Sequence, residues 1–167
     1  LPALRLPIAS AAAAITALHC LSDRFSINEK NIIKGLELAC LPGRFQIIQD
    51  QEKPTWILDV AHNAQSAQYL STQLLAHKAL HPHTTYHAII ACMEQKSHQA
   101  ILKPLIPLID VWYVSEFDHP PSCTAKTLYN TLVALGCKHK IHLTKSLKEA
   151  QTKALAESDH HDTLLAF

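Results

Sequence analysis

Short apolar runs alternate with helical segments along the second two-thirds of the chain, and that alternation limits the folds open to it. The runs cover residues 57–60, 86–93, 110–115, 140–143 and 163–167. Between them lie helix signals: a stretch after Asn63 that continues to about His77, and one within 94–107 that Pro104 breaks. A third runs from a capping serine, Ser122, to Gly136, where a glycine ends a helix well, and a fourth is opened by Ser146-Leu147-Lys148-Glu149, a capping box. Strands separated by helices take crossover connections, and crossovers join parallel strands. The expected fold is therefore α/β: a Rossmann-like, mostly parallel sheet with helices on both faces.

The segment upstream is of a different kind. Residues 1–8 contain two of the nine prolines and no clear period, and they read as a linker. Residues 9–21 are alanine-rich, a composition that favours helix and close approach to a neighbour. Ser26-Ile27-Asn28-Glu29 reads as a capping box with Ser26 as the cap, opening a helix to about Cys40 with Ile32, Ile33, Leu36 and Cys40 near one face. Pro42-Gly43 stops it. A strand over 44–49 follows, with Phe45 and Ile47 on one side, and then a polar turn to Pro54. The last apolar run is also the end of the sequence, and the expectation is a piece of a longer protein.

Within this frame Thr55-Trp56-Ile57-Leu58-Asp59-Val60-Ala61-His62-Asn63 draws the eye to chemistry. A buried strand that ends in a carboxylate, an imidazole and an amide just before a helix sets those groups at the carboxyl edge of the sheet, where open α/β sheets bind ligands. Other classes are excluded by composition. The three glycines, Gly35, Gly43 and Gly136, are too far apart for a GxGxxG turn or a P-loop. A net charge of +1 gives no electrostatic basis for binding nucleic acid or a membrane surface, and no apolar run approaches the ~20 residues of a membrane span. The five cysteines are scattered without a CxxC, the pattern of buried thiols in a reducing, cytoplasmic setting. The histidine pairs His81/His83 and His160/His161 have no neighbouring cysteine and read as solvated loop residues, so no metal ligand is assigned.

Leu41-Pro42-Gly43-Arg44-Phe45-Gln46, followed by the strand that ends Asp59-Val60-Ala61-His62-Asn63, resembles the C-terminal domain of the dihydrofolate synthase/folylpolyglutamate synthase family, within the Mur ligase superfamily. The family pattern is roughly PGR-F-[EQ] and then D-x-A-H-N, both complete here. The segment Glu94-Gln95-Lys96-Ser97 stands where relatives carry an acidic–lysine–acidic tract. The resemblance implies a C-terminal Mur-ligase-type domain over 9–167, truncated at its end, with 1–8 as the linker from an N-terminal ATPase domain. It implies a monomeric parent ligase that uses ATP to activate a carboxylate as an acyl phosphate, and then joins it to the amine of L-glutamate. Dihydropteroate or reduced folate is the acceptor, Mg2+ is bound by the other domain, and the fragment alone is inactive.

Carried over residue by residue, the resemblance gives Arg44 and Asp59 to ATP, His62 to glutamate and to catalysis, and Ser10 to the adenine side in place of the family's asparagine. The chemistry suits each: a guanidinium pairs with phosphate oxygens in a fixed fork, a carboxylate accepts from ribose hydroxyls, and an imidazole can bind a carboxylate or orient an amine. Each residue also has a plain structural reading. Arg44 can serve as a strand-edge ion pair, Asp59 as a helix cap, and His62 as a packed loop histidine; Asn63 reads as shaping the turn. The alternatives to a folate ligase are a peptidoglycan-precursor Mur ligase and a non-catalytic α/β binding module.

Overall fold

The computed structural model describes residues 7–167. Most of the segment read as a linker, residues 1–6, lies outside the described residues. The chain divides into two compact units, Leu1–Arg44 and Phe45–Phe167.

In the first unit, α1 (Ile8–Cys20) starts after Pro7 and α2 (Glu29–Leu38) follows a short connection. The cap of α2 is Asn28 rather than Ser26: its side chain accepts from the Asn31 backbone N–H at 2.9 Å. A cap accepts from an N–H two or three residues further on, and Asn28, two residues downstream of the expected serine, stands three before Asn31.

The second unit is a six-stranded sheet in the order β1-β2-β6-β3-β4-β5. Its strands are β1 (Gln46–Asp50), β2 (Lys53–Leu58), β3 (Tyr86–Ile90), β4 (Val111–Val114), β5 (Lys140–Leu143) and β6 (Thr163–Ala166). β1 and β2 form an antiparallel hairpin at one edge. All other neighbours are parallel, so the mostly parallel α/β sheet is as the sequence implied. The helices are α3 (Ala64–Leu80), α4 (His98–Leu102), α5 (Ala125–Ala134) and α6 (Leu147–Ala156), with a 3-10 turn at Ile106–Leu108. The expected helix over 94–107 is thus two short pieces with Pro104 between them.

Side chains alternate across the pleat. Ile57, Ala88, Ile90, Trp112, Val114 and Leu165 face α3, α4 and α5, packing on Leu70, Leu74, Ile101, Leu102, Leu128 and Leu132. Ile89, Tyr113 and Leu164 face the other way, onto Ala150 and Ala154 of α6. Helices therefore cover both faces. Large residues build one layer, and alanines let α6 lie close on the other.

Three local readings are corrected. Thr124, not Ser122, caps α5 by accepting from Thr127 N at 3.1 Å, while Ser122 Oγ accepts from Phe117 N at 2.9 Å. Phe45 is not a strand residue; its φ of 43° lies in the left-handed region and the strand begins one residue later. Cys20 and Cys40 are exposed, whereas Cys92 and Cys123 are buried.

Candidate functional site at the carboxyl edge

β2, β6 and β3 lie side by side and parallel, so their carboxyl ends share one edge. A cavity of about 310 Å³ opens there, with Asp59 and His62 beyond β2, Cys92 and Lys96 beyond β3, Phe117 beyond β4 and Phe167 beyond β6. Two strand ends, those of β2 and β3, thus bring a carboxylate, an imidazole and an ammonium to one opening.

Asp59 is fixed by backbone. Its N–H donates to Ala166 O at 3.0 Å, which continues the β2–β6 ladder one step past the strand. Its Oδ2 accepts from Phe45 N at 2.8 Å. That bond accounts for the left-handed Phe45: the chain bends to present its N–H to the carboxylate, and a non-glycine residue stays in that region only where its surroundings hold it. Burial raises the Tyr69 phenol pKa on α3, and the nearby Asp59 charge raises it further. Asp59 therefore imposes its negative charge on this side of the site. It is not the cap of α3.

The cap of α3 is Asn63, which accepts from Ser66 N at 2.9 Å while Ser66 Oγ accepts from Asn63 N at 3.1 Å. The same hydroxyl accepts from His62 N at 3.1 Å. His62 is exposed, and its Nδ1 lies 2.8 Å from Val60 O. A carbonyl oxygen only accepts, so Nδ1 carries a proton and Nε2 is left for a ligand. In the neutral ring that nitrogen accepts; in the imidazolium it donates.

Cys92 and Lys96 form the opposite wall. Burial raises the Cys92 thiol pKa, with Cys123 adding to the effect, while the Lys96 ammonium acts in the reverse sense. The thiol is thereby kept protonated and is no nucleophile. Lys96 is a cavity residue to which the sequence reading gave no role. The signal was available: it follows β3 at the same edge that drew attention to Asp59.

The other two expected contacts belong to the first unit. Arg44 is exposed, with its N–H donating to Leu41 O at 3.2 Å. Ser10 is exposed on α1 and lines an apolar cavity of about 390 Å³ between α1 and α2, among Ala11, Ala14, Ile32 and Leu36. That cavity is larger than the one at the sheet edge, but it offers almost no polar atom to orient a ligand.

A fold of this topology, with its polar groups at the carboxyl edge, defines a class. The family model described as Mur ligase, glutamate ligase domain matches residues 43–167, and the chain belongs to that family. More particularly, it is 33% identical to the dihydrofolate synthase/folylpolyglutamate synthase of Escherichia coli over 165 residues, 99% of this chain and 36% of that protein. The solved structure of E. coli FolC in complex with DHPP and ADP superposes with a TM-score of 0.82 at 32% identity, covering 99% of this chain and 37% of the other. A bifunctional folylpolyglutamate synthase/dihydrofolate synthase with Mn, AMPPNP and L-glutamate bound gives 0.82 at 30% identity, with 99% and 37% covered. The chain spans little more than a third of the length of these relatives. Among the described residues, no helix is long and apolar enough to cross a membrane.

Proposed function

We propose that the chain is the glutamate-ligase portion of a dihydrofolate synthase/folylpolyglutamate synthase. The parent enzyme adds L-glutamate to dihydropteroate, to reduced folate or to both, at the expense of ATP. The observation that carries this reading is the meeting of Asp59, His62 and Lys96 at one sheet edge, in a chain whose relatives include enzymes solved with a nucleotide and with L-glutamate.

The reaction has two steps. A substrate carboxylate attacks the γ-phosphorus of ATP, and ADP leaves; the glutamate amine then attacks the acyl carbon, and phosphate leaves. Asp59 accepts from nucleotide hydroxyls, and Arg44 pairs with phosphate oxygens. His62 meets glutamate through Nε2, orienting the amine or holding a carboxylate. Ser10 takes the adenine side. The phosphate cradle and the Mg2+ ligands belong to the ATPase portion of the parent enzyme, since the three glycines here form no P-loop. The enzyme acts as a cytoplasmic monomer.

The test is glutamate transfer by the full-length enzyme with ATP and Mg2+. Labelled glutamate is expected on dihydropteroate or tetrahydrofolate, and no turnover is expected from residues 1–167 alone. Transfer to a nucleotide-linked muramoyl acceptor, with none to a pterin, would overturn the reading in favour of a peptidoglycan-precursor ligase.

A further inference from the structure

The opposite edge of the sheet carries a second polar cavity, of about 590 Å³. Five of the chain's twelve histidines line it: His77, His81, His83, His160 and His161. The sequence separates them into two groups, one at the end of α3 and one in the loop between α6 and β6. The topology reunites them, because β6 lies beside β3 and both strands are entered from this edge.

We propose that this amino-edge cavity binds one borderline divalent cation of the zinc, nickel and copper class, held by imidazoles from both loops. His77 and His81 stand four residues apart at the end of α3, which sets their side chains on one face; their rings are 4.5 Å apart. His77 Nδ1 lies 2.7 Å from the Tyr86 hydroxyl. A metal-binding imidazole is commonly oriented by such a bond at its other nitrogen, and His77 is among the residues that line the cavity.

The rings of His160 and His161 are 3.8 Å apart. Their loop is shaped by its own carboxylates: Asp159 accepts from His161 N at 2.7 Å, and Asp162 accepts from Asp159 N at 2.9 Å. Imidazoles are the most numerous donors lining the cavity, and imidazole suits zinc, nickel and copper where magnesium prefers oxygen.

Among the described residues no three donors already surround one point. Binding therefore requires the exposed rings to turn inward. His81, His83, His160 and His161 are all exposed on short connections, where rotamer changes are fast. The bound ion would tie the end of α3 to the entry of β6, the strand whose far end reaches the carboxyl-edge cavity at Phe167.

The experiment is calorimetric titration of the 167-residue chain with Zn2+ and Ni2+, and with Mg2+ as a control. The exposed Cys20 and Cys40 are changed to serine so that thiols do not compete. One ion per chain should bind saturably and raise the melting temperature, while Mg2+ gives neither effect. His81→Ala should weaken binding by about tenfold or more, His160→Ala with His161→Ala should do the same, and the triple variant should bind none. Melts of the metal-free variants should match the parent, since these side chains are exposed. Absence of saturable Zn2+ and Ni2+ binding would overturn the proposal. So would affinity that depends on only one of the two loops, because the site would then not span the cavity.

Discussion

Asp59 and His62 stand three residues apart yet are held by different partners, and each carries its own expectation. Removing the Asp59 carboxylate strands the N–H of Phe45 in a left-handed conformation. Asp59→Ala should destabilise the chain by about 2 kcal/mol in urea unfolding, the scale of a hydrogen bond to a charged group, while Asp59→Asn keeps an acceptor and should recover part of that loss. His87 on β3 gives a pH test. It is 3% exposed, its Nδ1 lies 3.2 Å from the Tyr113 hydroxyl, and its Nε2 lies 3.7 Å from Asp162. Burial lowers its pKa, and the carboxylates of Asp162, Glu157 and Asp110 offset this only in part. The unfolded chain then binds the proton more readily, so stability should fall as pH drops below about 6.5. Melts between pH 7.5 and 5.5 should show that fall, and His87→Gln should flatten it.

At the scale of elements, α6 and α3 make opposite demands. Ala150 and Ala154 are fully buried against the sheet, so Ala154→Leu should cost about 1–3 kcal/mol through overpacking. Asn63→Ala removes the cap of α3 and should cost about 1 kcal/mol; both are read from chemical unfolding midpoints. The elements themselves were legible in the sequence because the apolar runs alternate with capped helical stretches, and Asp59 and His62 were legible as edge residues for the same reason. Caps were less so. Ser26 and Ser122 have the right chemistry, but Asn28 and Thr124 have it too and stand at the geometrically correct offset. Phe45 was out of reach, since its φ is set by a carboxylate fourteen residues away. The histidine cavity was hidden for a related reason: only the insertion of β6 between β2 and β3 brings its two loops together.

For the whole molecule, the proposed function implies that nucleotide and amino-acid contacts of the parent ligase are separable. Arg44→Ala in the full-length enzyme should lower kcat/KM by roughly 10²-fold, as expected for loss of one charge-stabilising contact, and Arg44→Lys should restore it incompletely because lysine lacks the planar fork. The most direct measurement is the steady-state kinetics of full-length Asp59→Ala and His62→Ala, with ATP and glutamate varied in turn and folding checked by melt. Asp59→Ala should raise the KM for ATP more than that for glutamate, and His62→Ala should do the reverse and lower kcat. Unchanged glutamate kinetics in a folded His62→Ala enzyme would contradict the assignment of the carboxyl-edge cavity to the incoming amino acid.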